Sequence, residues 1–152
     1  MKVCKFEKIK DEDEMKQVIN CIQKEHPYVA VVPILAQLQE WLQAISISWF
    51  HKEDEASHAT VNAIEAYCCT LANHLITDSH LNQEIKNRIL ECIKKIHILV
   101  EDKADLLIDK MIKAEIYGLS SDLFTYCLRQ QGLCAQTLDT GKLIQINLEI
   151  SF

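Results

Sequence analysis

The sequence predicts an α/β fold, with a small, largely parallel sheet of about four strands between helices, in a single domain over residues 1–152. The run YVAVVPIL, which starts at residue 28, is continuous and rich in β-branched residues, as is typical of a strand buried on both faces. It follows a strand-like and then a helix-like segment, and a β-α-β order favours parallel pairing. A length of 152 residues suits one domain.

The first strand is expected at residues 2–6, within MKVCKF. A helix should follow from Asp11, because apolar residues then recur at i, i+3, i+4 and i+7. These residues are Met15, Val18, Ile19 and Ile22. Pro27 should end this helix and Pro33 the second strand, because the residue before a proline disfavours the helical conformation and proline lacks an amide donor.

The middle of the chain shows no strand pattern and predicts a helical insert at about 53–116, which we expect to form a subdomain over one edge of the sheet. The helix before it has apolar residues at helical spacing, namely Leu35, Leu38, Trp41, Leu42 and Ile45. Inside the insert, the periodicity predicts helices at about 53–77, 79–98 and 101–116. Ser79 is expected to be the N-cap of the second one.

The last part of the chain predicts a helix, a strand, a turn and a second strand. The helix face comprises Leu119, Leu123, Phe124, Cys127 and Leu128. Ser120 or Ser121 is expected to cap its start, and Gly132 to end it. Strands are expected at 133–138 and 143–150, joined by a turn at 139–141.

The composition excludes several classes of function. A formal net charge of −6 argues against nucleic acid and anionic membranes as partners, because both favour basic surfaces. No apolar run has the length of a membrane span, and the N-terminus lacks the apolar region of a signal peptide. The seven cysteines are odd in number and lie mostly in apolar periodic segments. We therefore expect reduced thiols in a cytoplasmic protein rather than a disulfide framework.

Residues that could carry metal or nucleophilic chemistry do not form a recognisable motif. The six histidines include no H-E-x-x-H, and no Cys/His cluster has zinc spacing, so solvated or capping histidines and no metal or other cofactor are expected. The acidic run at 53–55 is better explained as favourable charge at a helix start. Cys4 and Cys134 show no paired histidine that would activate a nucleophile.

Three segments resemble the aspartokinases of the amino acid kinase family. MKVCKF is similar to the first strand of that family, which ends in Lys-Phe-Gly-Gly-Thr-Ser. YVAVVPILAQLQEWL resembles the second strand and the Ser-Ala-Met-Ser-Gly-type turn that opens the next helix. GLSSDLFTYCLRQQGLCAQTLD resembles a segment that begins Gly-Glu-x-x-Ser and continues through a helix to a strand ending in Asp. In this order they match the N-terminal half of such a kinase.

The resemblance implies a vestigial substrate site of three residues. Lys5 corresponds to the family lysine that contacts the transferred phosphate, Ser120 to the serine of the third segment, and Asp139 to the aspartate at the strand end. Each also has a plainer explanation from its own chemistry. The lysine can be solvated or salt-bridged, the serine can cap a helix, and the aspartate can stabilise a turn through local hydrogen bonds.

Departures from the family motifs argue against catalysis. Glu7 and Lys8 replace the two glycines that let backbone amides approach the phosphate, and Ile9 and Lys10 replace the Thr-Ser pair. Two like charges about 4 Å apart repel by roughly 4 kcal/mol at an effective dielectric of about 20. The carboxylate of Glu7 would therefore oppose a phosphate, and a side chain at either glycine position would keep the backbone away from it.

Two further departures concern the substrates. The Gly-Glu pair that helps hold the amino acid corresponds to Ile116-Tyr117, and we expect Tyr117 to pack inward over the old pocket. The family builds its nucleotide site mainly in its C-terminal half, whereas this sequence ends soon after the strand at 143–150 and has no Gly-rich nucleotide loop. ATP-dependent catalysis is therefore not expected.

The leading hypothesis is a non-catalytic, aspartokinase-related protein that acts through protein contacts, either with itself or with a full-length kinase. A homodimer should bury the edge of the last strand or the apolar side of the helical insert. The alternative is a small-molecule module with an amino-acid-like pocket at Lys5, Ser120 and Asp139, and the third is a transferase completed by another chain. An exposed apolar patch on the insert would favour the first hypothesis, and an open pocket the second.

Overall fold

The computed structural model describes residues 2–138 and 143–147 and shows a mostly helical α/β fold. The described part contains five helices and four strands. In chain order these are β1 (Val3–Lys5), α1 (Glu12–Glu25), β2 (Val29–Val31), α2 (Ala36–Phe50), α3 (Asp54–Leu75), α4 (Ser79–Glu101), α5 (Leu107–Gln130), β3 (Cys134–Thr137) and β4 (Leu143–Asn147). The α/β class and the number of strands agree with the sequence prediction. The predicted turn at 139–141 and the end of the last predicted strand lie outside the described residues.

The sheet is mixed, so the prediction of a largely parallel sheet was wrong. Its strand order is β1-β2-β4-β3. Only β1 and β2 run parallel, and β4 pairs antiparallel with both β2 and β3. The parallel pair arises because α1 crosses between its strands, whereas β4 turns back from β3 in a hairpin-like pairing. The last strand is therefore internal, which also removes it as the free edge proposed for a dimer.

Helices cover one face of this sheet rather than both. The buried strand residues alternate onto a single side and comprise Ala30, Ala135, Ile144 and Ile146. Helix α5 packs against β3 and β4, and α1 packs against α5. The opposite side carries exposed Val3, Lys5 and Gln136. The expectation of a sheet between helical layers was therefore wrong for the described part of the chain.

Local signals fix most helix ends where the sequence predicted them. Asp11 caps α1 by accepting a hydrogen bond from the Glu14 amide at 2.9 Å, and His26 ends it in a left-handed conformation, with φ 48°. Helix α4 begins differently from the prediction. Asp78, not Ser79, is its N-cap and accepts from the Leu81 amide at 2.9 Å, because the carboxylate precedes the first helical residue.

Helix α5 is one continuous element where two were predicted. It runs through Gly118, whereas the sequence predicted one helix at about 101–116 and another that starts at Ser120 or Ser121. A glycine inside a helix costs about 1 kcal/mol relative to alanine. Burial of long apolar side chains on both sides of it, including Ile116 and Leu119, more than offsets this cost. Ser120 and Ser121 are therefore interior helical residues and not caps.

The helices pack into a bundle, and polar contacts stabilise one end of it. Helix α3 packs mainly on α2 and α4, and α4 packs on α5. Where α2 and α4 end, the Trp49 Nε1–H donates to the Asp102 carbonyl at 3.0 Å, and Lys103 pairs with Asp54 at 2.9 Å. In the part of the chain that is described, no helix combines the length and apolar character that a membrane crossing requires.

Candidate functional site

The ends of the two parallel strands define the candidate site. In open α/β sheets, ligands bind beyond the carboxyl ends of the strands, where loops enter the following helices. Here those loops join β1 to α1 and β2 to α2. The Phe6 amide donates to the Val31 carbonyl at 2.9 Å, so the two loops leave the sheet side by side.

The β1–α1 loop closes onto the start of α2. The Ile9 carbonyl accepts a hydrogen bond from the Ala36 amide at 3.0 Å, and the Ile9 side chain is 1% exposed. Ala36 is the first residue of α2, and a free amide at a helix start is the kind of donor that binds phosphate. At this site the Ala36 amide is already bonded to the Ile9 carbonyl, and the buried Ile9 side chain fixes the position of that carbonyl.

Ser120 supplies a second contact to the same loop. Its Oγ, buried in the middle of α5, accepts from the Leu35 amide at 3.1 Å. Leu35 directly precedes α2, so the hydroxyl satisfies a backbone donor at the helix start in the manner of an N-cap, although it comes from another helix. The hydroxyl predicted as a vestigial substrate contact therefore holds the backbone of its own fold.

The other two predicted site residues do not join Ser120. Lys5 lies at the end of β1 with an exposed side chain and shares the open side of the strand with Val3. Asp139 lies outside the described residues. Lys5 is exposed on the uncovered side of the sheet, whereas Ser120 is buried in α5. With Asp139 undescribed, the three-residue pocket stays a prediction.

A solvent-filled cleft of about 520 Å³ lies beside the closed loop. Its charged lining consists of Glu7, Lys8, Lys10 and Glu40. The remaining lining residues come from Pro33 to Gln39, in the β2–α2 loop and the first turn of α2. Two cations and two carboxylates give the cleft no net charge, so it does not favour a phosphate over other polar ligands.

Tyr117 lies apart from this cleft. It is half-buried on α5, packs against the core and lines a shallow groove between α2 and α5 together with Gln39 and Leu42. Glu7 is exposed and faces the cleft. Tyr117, which was expected to pack inward over the old pocket, thus lies at a different cavity from Glu7.

A histidine pair between α3 and α4 was missed in the sequence. The Nδ1 atoms of His58 and His97 are 2.6 Å apart, and the ring centroids are 4.9 Å apart with 27° between the ring planes. In a five-membered ring with bonds of about 1.35 Å, each atom lies about 1.15 Å from the ring centroid. The centroids are farthest apart when the two Nδ1 atoms point straight at each other, and the observed centroid distance is near that maximum. The rings therefore meet edge to edge, joined by one hydrogen bond.

The outer neighbours of the pair are both hydrogen-bond acceptors. His58 Nε2 is 3.3 Å from a Glu101 carboxylate oxygen, and His97 Nε2 is 3.1 Å from the Asn62 side-chain oxygen. One hydrogen lies between the two Nδ1 atoms, so a neutral pair, which has two ring hydrogens in all, can donate to only one of these two neighbours. The signal in the sequence was only a spacing of 39 residues, which no local pattern reveals.

The described residues contain no metal-ligand cluster, and their most buried thiols are unreactive. No three histidine, cysteine, aspartate or glutamate side chains converge there as metal ligands. All seven cysteines are free. Burial raises the pKa of Cys92 and Cys127 to about 12 and also raises that of Cys68, so these thiols stay protonated at neutral pH and are poor nucleophiles.

The chain matches no family model, no curated protein and no solved structure. The resemblance to aspartokinases therefore stays a prediction.

Proposed function

We propose that this chain is a non-catalytic protein of the amino acid kinase type that acts through protein contacts. The observation that carries the proposal is an apolar end of the helical bundle, formed by Ile47 and Phe50 of α2 with Leu106, Leu107 and Met111 at the start of α5. Their side chains are 49 to 66% exposed. Exposed apolar groups gathered at one place are typical of an interaction site.

The contacts between α2 and α5 support this grouping. Leu35 meets Ser120, and the Ser46 hydroxyl donates to Asp109 at 2.7 Å. Residue numbers fall along α5 as they rise along α2, so the helices are antiparallel. The last turn of α2 therefore lies next to the first turn of α5, which brings Phe50 beside the segment that starts at Leu106.

The closed β1–α1 loop supports the non-catalytic part of the proposal. Phosphoryl transfer depends on donors positioned around the phosphate oxygens. The Ala36 amide is bonded to Ile9 instead, and Glu7 adds a carboxylate at the same cleft. We place the protein in the cytoplasm, in keeping with seven free cysteines in a chain whose fold uses them as apolar core and surface residues.

Ligand binding by the purified chain tests the non-catalytic part. We expect no phosphorylation of aspartate or related amino acids from Mg-ATP, and no thermal shift with Mg-ATP at millimolar concentration. A ligand present at about 100 times its dissociation constant would stabilise the fold by roughly 2.7 kcal/mol, which raises the melting temperature by several degrees. A reproducible shift of that size with ATP would contradict the proposal.

A second candidate function is the binding of an amino-acid-like molecule, and the cleft of about 520 Å³ favours it. A zwitterionic ligand could place its carboxylate at Lys8 or Lys10 and its ammonium group at Glu7 or Glu40. Calorimetric titration with a panel of amino acids tests this candidate. Heat that disappears in Lys8→Ala but persists in Lys24→Ala, an exposed lysine of α1, would establish it, and no heat with any member would remove it.

A further inference from the structure

The outer face of α2 is an exposed helix surface almost without charge. Of the fifteen residues of α2, only Glu40 is charged. The exposed positions recur at helical spacing along one stripe, which consists of Glu40, Gln43, Ala44, Ile47, Phe50 and the following His51. The solvent-facing side of a surface helix normally carries charged residues. This stripe carries one carboxylate at its start and one imidazole at its end.

We propose that this α2 stripe binds the same stripe of a second copy of the chain, as an antiparallel pair of helices about a two-fold axis. The inference rests on the proposed function, since it names the partner for the protein contacts. A two-fold axis between Ala44 and Ile47 sets Ala44 of each copy against Ile47 of the other. The small alanine admits close approach, and the isoleucine fills the space it leaves.

A second copy fits the α2 stripe because the stripe is complementary to itself about the two-fold axis. Each chain carries a formal net charge of −6, so two copies repel across most other pairs of surfaces. The middle of the α2 stripe contributes no charge to that repulsion. The two-fold arrangement also brings Glu40 of each copy to His51 of the other, so the single acidic residue of the stripe meets a group that can donate to it.

The structure keeps α2 rigid enough to present this stripe. Its opposite side is buried through Leu38, Leu42 and Ile45. Its two ends are held by the contacts from Leu35 to Ser120 and from Trp49 to Asp102. Pairing therefore requires no unfolding of the helix and little ordering of backbone, which lowers the entropic cost of association.

Analytical ultracentrifugation across about 1–200 μM tests the pairing. The wild-type chain should pass from 17.5 kDa to twice that mass. Ile47→Glu should raise the dimer dissociation constant about tenfold or more, because a carboxylate would be buried at the centre of the interface. Leu90→Glu is the matched control, since Leu90 is 45% exposed on α4, and it should leave the dissociation constant within about twofold. Circular dichroism at about 1 μM, where the wild type is expected to be monomeric, should give both variants the wild-type melting curve.

Charge exchange tests the orientation. Glu40→Lys and His51→Glu should each weaken the dimer, and the double variant should recover most of the wild-type affinity because the swapped charges meet again across the axis. Recovery is expected of an antiparallel pair of α2 stripes and not of another arrangement of the same face.

A wild-type chain that stays monomeric at 200 μM would overturn the inference, as would a dimer that Ile47→Glu leaves intact or a double variant weaker than either single one. These outcomes are separate from the non-catalytic part of the proposed function, which the nucleotide and amino acid titrations test on their own. A monomer that binds no ATP would thus refute the second copy as partner and leave the absence of catalysis standing.

Discussion

Ser120 and Ile9 act together on a few backbone amides at the start of α2. The Ser120 hydroxyl accepts from Leu35, and the Ile9 carbonyl accepts from Ala36. The first amides of a helix have no partner within it. Since α2 has no side-chain cap of its own at Leu35, these contacts are what satisfy its buried start.

Ser120→Ala should destabilise the fold by about 1–3 kcal/mol, because it leaves the buried Leu35 amide without an acceptor. The midpoint of urea denaturation measures the loss. Ser79→Ala is the matched control, since Ser79 is exposed and is preceded by the true cap, and it should change stability by less than about 0.5 kcal/mol. Equal effects of the two substitutions would show that the hydroxyl of Ser120 has no structural role.

At the residue scale, the sequence pointed to the right part of the molecule but not to the contacts that its residues make. The side chains of Glu7 and Lys8 were expected to keep the backbone away from a phosphate, and that expectation stays a prediction. The β1–α1 loop is closed by the carbonyl of Ile9, and a backbone group cannot be identified from residue type. Ser120 was singled out as a remnant contact or a cap. Its partner at Leu35 is 85 residues away, and only the packing of α5 on α2 brings them together.

Among the helices, α5 differs most from its prediction. One helix was expected to end at about 116 and another to start at Ser120 or Ser121, yet a single helix runs through Gly118 to Gln130. Gly132, which the sequence indicated as the helix end, does mark it. It adopts φ +86°, and its amide bonds back to the Arg129 carbonyl at 3.0 Å. Gly118 thus lies inside a helix, whereas Gly132 lies just beyond its end.

Alanine substitutions at the two glycines should therefore have effects of opposite sign. At Gly118 an added Cβ would meet no atom within 4 Å, so Gly118→Ala should stabilise the fold by about 0.5–1 kcal/mol through helix propensity. At Gly132 the left-handed backbone disfavours any side chain, so Gly132→Ala should destabilise it by about 1–2 kcal/mol. Thermal melts of both variants beside the wild type give the two signs. A loss of stability in Gly118→Ala would contradict the account of α5.

The contact between α3 and α4 should weaken in acid through the His58–His97 pair. Burial, and next the proximity of His58, lowers the pKa of His97, while Glu65 and Glu101 act in the opposite direction. The folded protein therefore binds this proton less readily than the unfolded chain, whose histidines titrate near pH 6.5. The associated stability is present above about pH 6.5 and is lost as the pH falls below it.

His97→Gln isolates this contribution. Between pH 7.5 and pH 5.5, the melting temperature of the wild type should fall more than that of the variant, because the variant has no proton to gain at this position. Parallel curves for wild type and His97→Gln would refute the role of the pair. Proton NMR titration of His97 provides the direct measurement.

At the scale of the whole molecule, the sequence predicted the elements better than their arrangement. Period and capping residues located the helices and strands, because those signals lie within a few residues of each other. Strand order and direction depend on which strands meet in space. The expectation of a largely parallel sheet extended the β-α-β rule beyond the one pair it fits. LIQIN alternates as any half-buried strand does, and nothing in that pattern shows that it lies between β2 and β3.

The position of β4 also has a consequence for how the protein is made. In the described sheet, β3 pairs only with β4, and β2 reaches β3 only through it. The helices can begin to form from local contacts while synthesis continues, but the centre of the sheet requires the described strand that leaves the ribosome last. Until residue 147 emerges, Ala30 and Ala135 have no strand between them. The β1–β2 pair of a nascent chain therefore stays without its neighbouring strand from residue 31 until residue 147 has emerged, and the chain is most vulnerable to aggregation and to chaperone capture during that interval.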